Sequence, residues 1–239
     1  MMESQFNLEA LMSGFLGDGY LECNPPALQE LSIAAYKLLL DGKTITPADI
    51  AVDMGIEPKE ISKLFELIPE CAYESDDRTG ITAFIGLSIT RTNHEFIIAD
   101  RTLHTWCVLD GLFLPQVIGR SAIIKTKCPA TGTEIHVELY PKGITSAAPE
   151  DMVMSVVDPD RDACCENLRG AFCNHVNFFA NKGTFMEWAD GKPEYGCVTL
   201  AAAYQMAMAR NRARFPDIDL KNAVSIKPNI KREDLNEGH

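Results

Sequence analysis

The apolar residues of this chain change period near residue 71, and that change restricts its fold more than any composition figure. Upstream, Phe6, Leu8, Leu11, Met12 and Phe15 recur at helical spacing, as do Leu28, Leu31, Ala34, Ala35, Leu38 and Leu39 after the Pro25-Pro26 break. Thr46-Pro47-Ala48-Asp49 is a helix start, with a threonine cap, a proline at the first position and a carboxylate at the positive end. Gly55 stops that helix, and a third runs from Glu57-Pro58 through Ile61, Leu64, Phe65 and Ile68. Downstream, residues 71–74 and 81–87 are short extended runs around a polar turn, and further strands are expected at 94–98, 122–126, 134–140 and 152–157. Residues 103–114 and 198–214 read as helices, and 164–179 as a helical turn ending in a strand over 175–179. Strands without regular intervening helices call for antiparallel pairing, so the class is α+β. Three segments follow: a winged-helix-like helical module with a hairpin over 1–90, an antiparallel-sheet domain with flanking helices over 91–215, and a loosely attached tail over 216–239.

Several function classes fall away at once. The net charge of -12 opposes phosphate-backbone binding, which needs clustered Lys and Arg. The winged-helix order invites a DNA-binding reading, but its third helix sets Lys59 and Lys63 against Glu57, Glu60 and Glu66, a balance that phosphate repels. No run approaches the ~20 apolar residues of a membrane span. The acidic N-terminal stretch lacks the basic-then-apolar order of a secretory signal, so a cytoplasmic location is expected. There is no GxSxG, GxxxxGK[ST], HExxH or strand-borne GxGxxG, which leaves serine hydrolase, P-loop, zincin and nucleotide-cofactor chemistry unsupported.

Eight cysteines remain to be explained, at 23, 71, 107, 128, 164, 165, 173 and 197. In a chain of 239 residues with irregular spacing they read as reduced thiols, most of them packing as small hydrophobes. Cys107 and Asp110 stand three apart in an apolar run, so on a helix they share a face. Burial would raise the pKa of Asp110, and a thiol beside a protonatable carboxyl is a nucleophile beside an acid/base. A buried cysteine with Asp110 bonded to local backbone remains the alternative. Cys173 and His175 flank Asn174 among aromatic residues, and in extended chain they point the same way. With Cys164-Cys165 they could form a zinc site, but no CxxC occurs, and His175 also fits a hydrogen-bonded core histidine. His104, three residues before Cys107, keeps a cysteine hydrolase in view. Cys128 lies in a turn and reads as a packing thiol.

Taken in order, Trp106-Cys107-x-Leu109-Asp110, Phe113-x-Pro115-x-x-Ile118-Gly119-Arg120, Cys128-x-Ala130-Thr131-Gly132, Phe172-Cys173-x-His175-Val176-x-Phe178-Phe179-Ala180 and Trp188 resemble the organomercurial (alkylmercury) lyases over most of the chain. The resemblance implies that Cys107 and Cys173 are catalytic thiols, that Asp110 is the acid/base, and that Cys128 has a structural role. Residues 91–215 would then be the lyase domain. Some members carry a further cysteine where this chain has Asn174, and neither Cys164-Cys165 nor the tail has a place in the pattern.

The implied reaction is protonolysis of a carbon–mercury bond to a hydrocarbon and Hg²⁺. Soft thiolates on mercury push electron density toward carbon, and a proton must arrive there as the bond breaks. Two cysteines and one carboxylic acid are the smallest set that does both. The resemblance further implies Hg²⁺ bound as product by Cys107, Cys173 and Asp110, and no cofactor. Small cytosolic thiols would release the ion, and a mercuric reductase would receive it. Trp106 and Phe172 are candidate walls for the organic group, with core packing as their alternative. A soft-metal binder or sensor without turnover would use the same cysteines but has no need of an acid.

Overall fold

The computed structural model describes residues 25–76, 80–157 and 166–220. The helix expected over residues 6–15, Cys23, Cys164, Cys165 and the tail beyond 220 lie outside them. Three helices come first: α1 (Pro26–Leu39), α2 (Pro47–Met54) and α3 (Pro58–Glu66). Each begins with proline, whose missing N–H costs nothing at a helix start. Thr46 and Asp49 exchange reciprocal capping bonds at the head of α2, and Gly55 closes it in the left-handed region. Leu28, Leu31, Ala35 and Leu39 form the buried stripe of α1.

An eight-stranded antiparallel sheet follows, with β1 (Tyr73–Ser75), β2 (Ile81–Phe84), β3 (Leu87–Ser88), β4 (His94–Ile98), β5 (Arg101–Thr105), β6 (Ala122–Lys127), β7 (Glu134–Tyr140) and β8 (Gly143–Ala148). Its order is β1-β2-β3-β5-β4-β6-β7-β8. The strands of the first hairpin, placed by sequence in the N-terminal module, thus pair into the same sheet as the strands beyond residue 90. A second sheet, ordered β10-β9-β11, is built from β9 (Val153–Val157), β10 (Phe178–Phe179) and β11 (Tyr195–Thr199).

The most buried helix is α4 (Val108–Ile118), in which every residue except Gln116 is buried. A helix apolar all round belongs in a core. It packs on α7 (Leu200–Arg214), α1 and strands of the large sheet. Asn211 of α7 donates to the Phe113 carbonyl at 3.0 Å and to Gln116 Oε1 at 2.8 Å. Two short helices, α5 (Leu168–Ala171) and α6 (Lys182–Trp188), complete the fold. No described helix is long and apolar enough to cross a membrane.

The α+β class and antiparallel pairing hold, and four local expectations need correction. The segment 103–114 is not one helix. Its first three residues finish β5, because the Ala99-Asp100 turn, with φ of 49° and 63°, folds β5 back on β4 and pairs Leu103 with Phe96. The helix starts at Val108 and passes Pro115 to end at Gly119. Residues 81–87 split at Ile85-Gly86 into β2 and β3. The strand expected over 175–179 shrinks to Phe178–Phe179, since Cys173–His175 form a tight turn closed by His175 N–H to the Phe172 carbonyl. Residues 216–220 are anchored: Gln29 Nε2 donates to Asp217 Oδ2 at 2.8 Å, and Ile218 and Leu220 pack against the core.

Candidate active site

The N-terminus of α4 presents the first half of the site. Cys107 is its cap residue, in extended backbone, and Asp110 is the third helical residue. The Cys107 amide donates to Asp110 Oδ2 at 2.8 Å, and the Asp110 amide returns a bond to the Cys107 sulfur. This is a capping box with sulfur where serine or threonine caps better, so the thiol is there for something other than capping. The pair does share one end of a helix, as cap and third residue rather than as two positions within it.

Cys173 supplies the second half. Its turn is fixed from β9, where the buried Ser155 hydroxyl donates to the His175 carbonyl at 2.7 Å. The His175 ring engages the Tyr195 hydroxyl through Nδ1 and the Gly170 carbonyl, at 3.0 Å, through Nε2. Both ring nitrogens are occupied, so His175 is a structural histidine and not a metal ligand.

Sequence-distant Cys107, Asp110 and Cys173 thereby meet. One ligand atom from each lies within 4.8 Å of the others, and all three residues are buried. Among the described residues this is the group of three or more metal-capable side chains placed to hold one ion. Burial raises the pKa of Asp110, against the lowering pull of a Cys107 hydrogen bond and the charges of Arg210 and Arg169. Burial also drives the Cys107 thiol well above its ordinary value, reinforced by its hydrogen bond with Cys173 and the charge of Asp110. At rest Cys107 therefore keeps its proton, and its thiolate forms only when a soft cation takes the sulfur.

Asp110 is wedged by a residue that sequence reasoning missed. A Cβ on Gly86 would stand 2.4 Å from Asp110 Cγ. Gly86 has φ of +95°, its neighbour Ile85 has φ of 36°, and a β-branched residue there is strained. The Tyr36 hydroxyl donates to the Ile85 carbonyl at 2.9 Å, Ile85 N–H reaches Ala72 at 2.8 Å, and Trp106 N–H reaches the Gly86 carbonyl at 3.0 Å. The only sequence signal was a glycine between two apolar runs.

The other expected residues are placed as follows. Trp106 and Phe172, the chain neighbours of the two thiols, are buried. Cys128 sits in its turn, buried and apart from the trio. Burial alone would raise its pKa, but bonds from Thr131, Ala180 and Ala130 outweigh it and hold the thiol below its ordinary value. His104 lies on β5, paired with Glu95 and Ser88, and not on a helix with Cys107. Cys107, Cys128, Cys173 and Cys197 are free thiols.

Comparison with known proteins gives the same direction. The alkylmercury lyase family model matches residues 87–211. An alkylmercury lyase of Streptomyces lividans is 33% identical over 196 residues, covering 82% of this chain and 86% of that protein. One of Staphylococcus epidermidis is 30% identical over 170 residues, covering 71% and 76%. The crystal structure of the mercury-bound form of MerB2 superposes with a TM-score of 0.67 at 20% identity, over 87% of this chain and 98% of that one, and so shares the fold. A family match across more than half the sequence, with relatives this similar over most of their length, means that the chain belongs to the alkylmercury lyase family.

Proposed function

We propose that this protein cleaves the carbon–mercury bond of organomercurials by protonolysis, with Cys107 and Cys173 as the mercury-binding sulfurs and Asp110 as the proton carrier. The carrying observation is that the two sulfurs and the carboxylate lie within 4.8 Å of one another in a buried site. Cys107–SH exchanges with the thiolate on R–Hg–SR′, giving Cys107–S–Hg–R and R′SH. Cys173 then binds mercury as its proton passes to the Asp110 carboxylate. Neutral Asp110 delivers that proton to carbon, R–H leaves, and Hg²⁺ remains between the two sulfurs. Two solution thiols remove it as Hg(SR′)₂ and return a proton to each cysteine. The raised pKa of Asp110 supports its part, because an acid that holds a proton longer can carry one to carbon. No cofactor enters this scheme. A binder or sensor would need the sulfurs alone, whereas here a carboxyl lies within 4.8 Å of both.

In this scheme Trp106 and Phe172, the chain neighbours of the two thiols, flank the organic group. Small thiols serve as release partners and a mercuric reductase as the downstream acceptor, both in a reducing, cytoplasmic setting that keeps the two sulfurs unoxidised. The α1–α3 helices with the β1–β2 hairpin are read as a winged-helix-like packing module, since α3 carries Glu60 and Glu66 beside its two lysines. The test is to incubate the protein with methylmercury and excess thiol and follow methane and inorganic mercury; wild type releasing no methane would overturn the reading.

A further inference from the structure

Both thiols are closed off from solvent, Cys107 at 1% and Cys173 at 3% exposure, so something holds the site shut and the sulfurs together. The downstream side of Cys173 is fixed by Ser155, Tyr195 and β10. Its upstream side, the four-residue α5, is only partly buried, and a helix so short has little stability of its own. One side chain on it reaches across to the other half of the site. Arg169 pairs with Glu74 of β1, and its guanidinium carbon lies 5.9 Å from the centre of the Trp106 ring, the residue bonded to Cys107. Three residues separate Arg169 from Cys173, and none separates Trp106 from Cys107.

We propose that Arg169 is a positioning residue that presses the Cys173 segment onto Trp106 and Glu74, so setting the approach of the two sulfurs and closing the site over them. The proposal rests on the reading of Cys107 and Cys173 as the mercury-binding pair. Arg169 touches neither sulfur in this account and acts through the α5 segment. The guanidinium serves twice, as the ionic partner of a half-buried carboxylate and as a cation on an indole face, and a neutral side chain of equal length serves neither purpose. Its charge also favours the ionised form of Asp110, which places it within electrostatic reach of the third member of the site.

The experiment is timed iodoacetamide alkylation of the whole protein, with peptides carrying Cys107, Cys128 and Cys173 resolved by mass spectrometry. Cys128 is as buried as Cys107 and lies outside the segment, so it reports global loosening. Arg169→Met should speed alkylation of Cys173 on the order of 10-fold, from loss of a partly buried ion pair and a cation–π contact. Glu74→Gln should shift it the same way by less, Arg169→Lys should restore a rate near wild type, and Cys128 should not change. In turnover with methylmercury, kcat should fall for Arg169→Met with KM no higher, and recover in Arg169→Lys. A wild-type rate at Cys173 in Arg169→Met, or Cys128 rising in step with it, overturns the proposal. Should Arg169→Met not fold, Glu74→Gln decides by the same comparison. Failure of the lyase reading shows separately, as absent methane from wild type, while the alkylation rates still test the closure.

Discussion

The Cys107 amide donates to the Asp110 carboxylate at 2.8 Å, so the bond that caps α4 also holds that carboxyl beside the two sulfurs. Asparagine can accept the same bond but cannot carry a proton. Asp110→Asn should therefore still capture a mercurial and release no hydrocarbon, with kcat down by at least ~10². Mercury retained on the protein, read beside methane in the headspace, checks this.

The same substitution should stabilise the fold. Asp110 has a folded pKa raised by burial, so its contribution to stability is full below its unfolded value and is lost as pH rises through the folded value. Asparagine has no ionisation to suffer. Thermal melts should show Asp110→Asn above wild type at neutral pH, with the gap shrinking on acidification.

Gly86→Ala should disable catalysis without abolishing mercury capture. The added carbon would stand 2.4 Å from Asp110 Cγ and must displace the carboxyl. A displacement approaching 1 Å costs about 10² in rate when geometry carries the reaction. Single-turnover methane release on a mercurial-loaded variant measures it.

Cys173→Ser should keep capture through Cys107 and lose cleavage, because the second sulfur no longer activates the bond. Cys128→Ala should instead cost stability and spare both capture and cleavage. Removing the sulfur strands the donors of Thr131, Ala130 and Ala180, costing roughly 1–3 kcal/mol of stability while specific activity stays near wild type. Urea unfolding and methane assays run in parallel separate the two.

Acid should weaken the fold through His94, which is buried and bonded to Thr126 at 2.9 Å. Burial, aided by the charges of Arg169 and His104, lowers its pKa from 6.5 to about 4. The neutral ring stabilises the fold above pH 6.5, and that stability drains away as pH falls through 4. The drop amounts to roughly 3 kcal/mol. His94→Gln should flatten the acid limb of a stability–pH profile.

Much of this was legible in the residues. Helix starts with their own chemistry, such as Thr46-Pro47-Ala48-Asp49, stand where the pattern put them. The Cys107–Asp110 and Cys173 segments stood out because an aspartate in an apolar run and a cysteine among phenylalanines both need a reason, but their joint role was legible only through the family resemblance. What escaped was set by tertiary contact. Residues 103–105 look helical in isolation, and only pairing with Phe96 and its neighbours makes them strand. Gly86 matters because of what it touches, and Arg169 because it reaches Glu74 and Trp106, partners far off in the chain. His175 seemed to belong to a strand until the Gly170 carbonyl and the Tyr195 hydroxyl claimed its ring.

The two sulfurs come from distant stretches of one chain, and an ion gripped by both is a strap across it. It closes a ring of roughly 65 residues, long enough for a cross-link to remove substantial freedom from the unfolded chain. Ligand binding to the folded form alone adds to the effect. The protein is then hardest to unravel or digest when clogged with its own toxic product, and the thiols that empty it also soften it. Resistance to proteolysis becomes a gauge of mercury load.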